Sequence, residues 1–565
     1  MRIAVAADSR GDGLIRRLND DGTPAAPPEH VAGVADAVAA LEREASPRWV
    51  WASSARIYPA MLGADVRVAS CHDVRLIEAM LLAHRGRFGE EPSLEAALAR
   101  LRGIASAPGR PAPSAGGAQS ELFAIVGDGF ASPREELDAV IAVQADQLRR
   151  IAAAPRPGRL SLLAAAESAG GLAAAEMMAD GLPWRGDIHD ELLTELLGPR
   201  PAPGLRPRRL VELADAIREA LHARALNPDS PAQLVKAFAA EGISLTSTRA
   251  HVLRTVDHPA VSLLLEYKEL ARLHAADGWG WLDTWVSDGR FRPEYVVGGV
   301  VSGRWASRGG GALQIPKVLR RAVVADPGYV LVVADAAQLE PRVLAALAGD
   351  RAFAEAAAAG DVYAALAGTL GGERDKAKVA LLSAMYGGAG GEAGQLLAVL
   401  RSRFPAAARY VDDAARAGEE GRLVRSRLGR TCPLPSAQWR QLTGDRADPR
   451  AGRALRSRGR FTRNFVVQAS AADWAAVLLA SLRRRLAATD WPAAEPAGGR
   501  AAAGRPHLVF FQHDEVIVHS PAAAADEVVR AARAAAQQAG RLVFGPGPVR
   551  FPLNVSVVTC YADAK

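Results

Sequence analysis

Cysteine and lysine are the scarce residues of this chain. Its 565 residues include three cysteines, Cys71, Cys432 and Cys560, which lie far apart and form no Cys-x-x-Cys pair. That excludes a disulfide scaffold and a cysteine-based zinc site, and it makes a reducing, cytoplasmic setting the expectation. No stretch long enough to cross a bilayer is both apolar and free of charge, so no membrane-spanning helix and no membrane partner are expected. The opening MRIAVAADSRGDG turns acidic and glycine-rich too early for a secretory leader. With 49% hydrophobic and 23% charged residues, wholesale disorder is excluded too.

Lysine occurs only at 236, 268, 317, 376, 378 and 565, so nearly all of the 69 basic residues are arginine. Against 62 acids they leave a formal net charge of +7. A basic excess suits a polyanionic partner such as nucleic acid. The arginine and alanine enrichment of a GC-rich genome gives the same balance, so composition alone does not choose. In so lysine-poor a chain, Lys376 and Lys378 stand out as a pair.

The length suggests about four compact units. Breaks rich in proline, glycine and small residues fall at 104–120, 155–159, 199–208 and 487–506. The first hundred or so residues mix short apolar runs (RIAVAA, RWVWAS, DVRVAS) with helical patterns (VADAVAALERE), an α/β signature. From about 160 to 290 the pattern is mostly helical, and LLLEYKELARLHAADGWGWLDTWV reads as one long amphipathic helix. Strand-like runs return at 329–334 and 507–519.

Three segments carry chemistry. In GYVLVVADAAQLEPRVLAALAGD an apolar run ends in Asp335, and a helical pattern starts near Pro341. A carboxylate at the end of a buried strand suits catalysis or metal binding; a helix N-cap is the competing reading. In GGERDKAKVALLSAMYGG, glycine pairs bracket a helix on which Arg374, Lys378, Leu382 and Tyr386 recur every fourth residue along one face. Cations beside free helix N–H groups can hold a polyphosphate. A solvated face with local pairing to Glu373 and Asp375 is the competing reading. In HLVFFQHDEVIVH two strands join through His513, Asp514 and Glu515, an antiparallel hairpin with acids at its tip. An ordinary polar turn is the alternative. Together, two carboxylates able to share two Mg²⁺ ions and a cationic helix for a triphosphate describe nucleotidyl transfer.

These segments resemble motifs A, B and C of the bacterial family A DNA polymerases, the DNA polymerase I family. Motif A usually reads Asp-Tyr-Ser-Gln-Ile-Glu-Leu-Arg; here it is Asp335-Ala336-Ala337-Gln338-Leu339-Glu340-Pro341-Arg342. Motif B keeps Arg374, Lys378 and Tyr386, with Leu382 in place of an aromatic. Motif C keeps Gln512-His513-Asp514-Glu515. Further likenesses lie in NPDSPAQL, DHPAVSLLLEYKELARL, SGRWASRGGGALQIP, LGRTCPLP, RFTRNFVVQASAADW and the ending CYADAK, so the resemblance covers roughly 165–565.

The resemblance implies a right-hand α+β polymerase domain at 160–565, preceded by an α/β exonuclease-like domain at 1–155. The thumb would take about 205–290, the palm about 291–344 and 451–565, and the fingers about 345–450. Asp335 and Asp514 would be metal carboxylates with Glu515 in support, holding two Mg²⁺ that Mn²⁺ can replace. Arg374 and Lys378 would bind the incoming dNTP, with Lys378 as proton donor to pyrophosphate. Gln338, Tyr363, Leu382 and Tyr386 would line the nucleotide pocket, and Glu340 would be the steric gate against a ribose 2′-OH. Arg304, Gln314, Arg430, Arg460, Asn464, Gln468 and His513 would contact primer–template DNA. The implied protein is a monomeric DNA-directed DNA polymerase suited to repair or gap filling. Two alternatives stay open: a non-catalytic primer–template binder, and a polymerase with relaxed template use in reverse transcription or lesion bypass.

Ala336, Ala337, Leu382 and Tyr363 depart from the family pattern, so the nucleotide pocket is expected to be altered while catalysis survives. In the first 155 residues, Asp73 and Asp146 match two acid positions of the family's 3′–5′ exonuclease. No Asp-x-Glu occurs in the opening strands, where Ala7-Asp8-Ser9 comes nearest, and WVWASSARIYPAML has no acid. The expectation is a degenerate domain without proofreading, and no 5′-nuclease domain.

Overall fold

The computed structural model describes residues 1–104, 130–308, 311, 315–358, 360–367, 373–386, 398, 401–445, 448–491 and 504–564. Most of the expected breaks at 104–120 and 487–506, the glycine pairs at 371–372 and 387–388, and Gln314 lie outside the described residues. The chain divides into two compact units. One comprises Met1–Ala179, Tyr295–Ala306 and Val332–Val557; the other comprises Asp180–Glu294, Ser307–Leu331 and Val558–Lys565.

The larger unit begins with strands β1 (Arg2–Ala7), β2 (Gly13–Leu18), β3 (Glu29–Val31), β4 (Arg48–Trp51) and β5 (Ser70–Asp73). They form one sheet in the order β3-β2-β1-β4-β5, antiparallel on the β2–β3 side and parallel from β1 to β5. The run RIAVAA is apolar throughout because both faces of β1 are covered. Ile3 and Val5 pack with Trp49, Trp51 and Tyr58 on one face. Ala4 and Ala6 meet Leu137 and Val140 of the helix Pro133–Ala152 on the other.

Five short strands follow: β6 (Leu182–Pro183), β7 (Val286–Ser287), β8 (Arg290–Phe291), β9 (Glu294–Val296) and β10 (Ala306–Arg308). In the smaller unit, β6, β8 and β7 form a small sheet beside the helices Gly186–Leu197, Arg208–Ala220, Pro231–Ala240 and Pro259–Asp277. The single long helix expected over LLLEYKELARLHAADGWGWLDTWV is two, Pro259–Asp277 and Trp279–Trp285. The chain turns extended at Gly278, where a Cβ would come within 2.3 Å of the His274 carbonyl oxygen. Only glycine fits that bend, and the bend sets Trp281 against Trp184 and Phe291 in an aromatic core.

A second sheet is built from β11 (Tyr329–Ala336), β12 (His507–Gln512), β13 (Glu515–Pro521) and β14 (Leu553–Val558), in the order β12-β13-β11-β14. Against it lie the 40-residue helix Pro449–Ala488 and the helix Ala525–Phe544. The long helix holds a window apolar enough to cross a bilayer, but 89% of that window is buried within the protein. Over that window it is a core helix, apolar on every side because neighbours surround it, while its arginine-rich first part reaches solvent.

Candidate active site

Asp335 is the last residue but one of β11, whose burial pattern covers every position except 330 and 335. The strand's apolar residues fill the core, which leaves the carboxylate half-exposed at its end. The hairpin β12–β13 turns through two residues, His513 and Asp514, with Gln512 paired to Glu515. Two-residue hairpin loops need a left-handed backbone at the first position, and His513 supplies it at φ 57°. Gln338, just past β11, is also left-handed, at φ 55°. Non-glycine residues in that region are uncommon, and here two of them flank the two carboxylates.

The sheet brings the acids together. The Ala336 N–H donates to the Asp514 carbonyl oxygen at 3.1 Å, and the Ala337 N–H donates to the Pro552 carbonyl oxygen at 3.1 Å. Asp335 and Asp514 therefore sit at the ends of neighbouring strands, whose backbones run about 4.8 Å apart. The N-cap position of Leu339–Ala348 is Gln338, three residues beyond Asp335. Glu515 is buried at the start of β13. Among the described residues no group of three or more His, Cys, Asp or Glu side chains is arranged to hold a metal. A pair of carboxylate oxygens fits Mg²⁺, which is commonly held by one or two carboxylates together with substrate phosphates.

The helix of the second motif runs from Arg374 to Tyr386. Arg374 Nε donates to Asp361 Oδ2 at 2.7 Å, and its guanidinium carbon lies 5.5 Å from the centre of the buried Tyr363 ring. Lys376 pairs with Glu373 at 3.1 Å. Lys378, one turn beyond Arg374, is exposed and has no carboxylate partner among the described residues. Leu382 is half-buried; the Tyr386 side chain lies outside the described residues.

Glu340 and Arg304 form an ion pair beside the carboxylates. His513 lies near both. Partial burial holds its imidazole below its ordinary pKa, the Arg304 charge adds to that, and Glu340 opposes it. Burial raises the Tyr363 phenol, and Glu340 raises it further. On the long helix, Arg460 is exposed while Asn464 and Gln468 are half-buried. Their spacing of four places all three along one face.

One expected DNA contact lies elsewhere. The Arg430 side chain, 10% exposed, is ion-paired with buried Glu167 and with buried Asp473 at 3.3 Å. The two carboxylates raise its pKa against the effect of burial. Its guanidinium packs so close to Gly303 that a Cβ there would come within 2.1 Å of Nε. Arg430 is a brace inside the larger unit, and its partners lie too far along the chain for any local pattern to announce them.

Two residues without an assigned role also shape the site. Arg342, almost fully buried, donates from Nε to the Ala337 carbonyl at 2.9 Å and from its terminal nitrogens to the carbonyls of Ala357 and Gly360. Asp361 follows directly. Its carboxylate caps the helix Val362–Ala367 and accepts from Gln338 as well as Arg374. The signal for Asp361 was an aspartate between a glycine and a helical run.

The sequence profile of DNA polymerase family A matches residues 206–562. The chain belongs to DNA polymerase family A. Among curated proteins, DNA polymerase I of Chloroflexus aurantiacus is 28% identical over 324 residues, covering 52% of this chain and 31% of that protein. The thermostable DNA polymerase I of Thermus aquaticus is 26% identical over 348 residues, covering 55% and 37%. The match thus spans about a third of these relatives' length. Among solved structures, the POL domain of Pol1 from M. smegmatis, in a complex with DNA primer-template and dNTP, is similar with a TM-score of 0.70 and 20% identity. That likeness covers 100% of this chain and 95% of the other. The fold is the family A polymerase fold, with an α/β region ahead of it.

Proposed function

We propose that the protein is a template-directed DNA polymerase that adds dNTPs to a primer 3′-OH. The observation that carries this reading is the backbone bond from Ala336 to Asp514. It pairs the strand ends that bear Asp335 and Asp514, and the hydrogen bonds Gln338–Asp361–Arg374 link the segment after Asp335 to the helix that carries Arg374 and Lys378. Asp335 and Asp514, with Glu515 behind them, would hold two Mg²⁺ ions. When bound, such ions lower the pKa of the attacking hydroxyl and neutralise the leaving pyrophosphate.

The chain's own residues do the rest. Arg374 and Lys378 bind and orient the triphosphate so that the 3′-oxygen lies in line with the α-phosphorus. The 3′-OH gives up its proton to solvent water as the new O–P bond forms and the bond to pyrophosphate breaks, and Lys378 gives the pyrophosphate a proton. Glu340 stands where a ribose 2′-OH would lie. Arg304, Arg460, Asn464, Gln468 and His513 face the minor groove, where acceptor positions are shared by all correct pairs and shape can be sensed without reading sequence. In this reading the thumb takes about 205–290, the palm about 291–344 and 451–565, and the fingers about 345–450.

Proofreading is not part of the proposal. Asp73 is buried and serves as the N-cap of Val74–His84, accepting from Leu76 N–H at 2.9 Å and Ser54 N–H at 2.7 Å. Asp146 pairs with Arg149 and Arg150. Both acids are engaged in structural roles.

Primer extension on a gapped duplex with each dNTP, with a matched and a mismatched primer end, tests both points. Templated extension that stops in Asp335→Ala, with no shortening of the mismatched end, is the expected result. DNA binding without extension by the wild-type protein would leave only a binder. Metal-dependent shortening lost in Asp73→Ala would restore proofreading.

A further inference from the structure

Asp361 belongs to none of the three motifs, yet it joins two of them. Its Oδ1 accepts from Gln338 Nε2 at 2.6 Å and from the N–H groups of Tyr363 and Ala364 at 2.9 and 3.1 Å. Its Oδ2 accepts from Arg374 Nε at 2.7 Å. Gln338 returns the contact: its Oε1 accepts from the Val362 N–H at 2.8 Å. Gln338 stands three residues after Asp335, so a short chain of hydrogen bonds runs from the metal-side strand to the triphosphate-side helix. The preceding residue is fixed as well, because buried Arg342 holds the Gly360 carbonyl.

We propose that Asp361 is the positioning residue for Arg374, aiming its terminal guanidinium nitrogens at the phosphates of the incoming nucleotide and tying that aim to the strand end that bears Asp335. The inference rests on the polymerase reading. The geometry is specific. A carboxylate can take an arginine through both terminal nitrogens, which would leave little for a ligand. Here it takes Nε, and the nearest other carboxylate among the described residues, Asp375, is 3.8 Å from one terminal nitrogen, beyond hydrogen-bond range. Among the described residues the terminal N–H groups therefore stay available, and about half of the Arg374 side chain is exposed. Tyr363 supplies the second wall, its ring lying against the guanidinium.

A carboxylate near a triphosphate repels it, and orientation must outweigh that repulsion. Two features favour orientation. The Asp361 charge is already matched by Arg374, and three further donors spread it. Burial raises this carboxyl, but the bond from Arg374 and those from the Ala364 N–H and Gln338 bring it down to about 2. It is therefore ionised at any pH at which a polymerase would be assayed.

The test compares Asp361→Asn, Arg374→Ala and the double variant in single-nucleotide primer extension, with inorganic pyrophosphate as a competing ligand. Asparagine can keep Oδ1 for Gln338 and the helix cap while presenting an N–H group to Arg374 Nε, so the fold persists and the aim is lost. We expect Asp361→Asn to raise the KM for dNTP about tenfold and to weaken pyrophosphate inhibition by a similar factor, with kcat changed by less than about threefold. In the double variant the loss should equal that of Arg374→Ala alone, since one residue acts through the other. A KM within about twofold of wild type, or losses that multiply in the double variant, would overturn the inference. If the wild-type protein extends no primer, the polymerase reading fails by itself. Calorimetric binding of a dNTP to the wild type and to Asp361→Asn then still decides the role of Asp361.

Discussion

The Ala336 N–H and the Asp514 carbonyl oxygen meet at 3.1 Å, joining a strand that ends in one acid to a turn that holds the other. A backbone bond of this kind does not depend on side-chain identity. The two carboxylates can therefore be changed without moving the framework that pairs them, which makes them separable in experiment.

Asp335→Asn and Asp514→Asn should each lower the rate of primer extension by about 10²–10³-fold or more. The midpoint of thermal unfolding should move by no more than about 2–4 °C, because both side chains are half-exposed. Single-turnover extension and a thermal melt measure the two effects. Loss of the fold in either variant would contradict the separation argued here.

Arg430 and Arg460 should behave oppositely. Arg430→Ala leaves Glu167 and Asp473 buried without their cation, a loss that costs about 3–5 kcal/mol. Urea unfolding would show it. Arg460→Ala removes an exposed cation, so stability should change by less than about 0.5 kcal/mol. Primer–template affinity should fall, and the salt dependence of binding should lose about one unit of slope.

His72 makes part of the stability depend on pH. Its ring is fully buried against Gln147, and burial first, with Arg2 and Arg48 adding to it, brings its pKa down to about 3. In the unfolded chain the value returns to about 6.5. Above that pH the ring is neutral in both states and the contribution is complete. As pH falls from about 6.5 to about 3, the unfolded chain takes up a proton that the folded chain refuses, and stability declines. His72→Gln should flatten the unfolding midpoint across that window relative to wild type; parallel curves would show that this histidine is not the cause.

Glu340→Ala should admit ribonucleotides, raising the rNTP-to-dNTP ratio of kcat/KM by about 10–10²-fold. It also releases Arg304 from its ion pair. Leu382→Phe would put a ring back where the chain has an aliphatic side chain, and it should change the ddNTP-to-dNTP ratio. Competition between nucleotides on one template measures both ratios. A Leu382→Phe ratio equal to that of wild type would mean the pocket is not altered at this position.

The elements that bear the candidate site were legible because their signals are local. An apolar run ending in Asp335, a four-residue repeat from Arg374, and two strand patterns around His513 and Asp514 each announce themselves within about fifteen residues. The pairing of the acids was read from the chemistry the three segments share and supported by the family resemblance, since nothing near either residue specifies the other. What escaped the reading was non-local or depended on backbone detail. Arg430 finds Glu167 and Asp473 from far along the chain, so its burial leaves no trace in LGRTCPLP. The helix break at Gly278 follows from one close approach to the His274 carbonyl, inside a pattern that stays periodic on both sides. Asp361 drew no reading from the sequence, because a helix cap and a cross-motif link look alike until Gln338 and Arg374 are placed beside it.

The 40-residue helix Pro449–Ala488 carries one further consequence. At about 1.5 Å per residue it is a rod of about 60 Å. Near one end stands Arg460. Near the other, buried Arg483 donates to Glu176 at 2.6 and 2.8 Å and to the carbonyls of Val68 and Ala69, while the Tyr58 hydroxyl donates to the same Glu176 at 2.6 Å. A truncation at residue 155 would strip Val68, Ala69 and Tyr58 from that arginine and open the flank of the rod to water. The opening sheet is thus the foundation under a beam, whatever chemistry it does or does not perform.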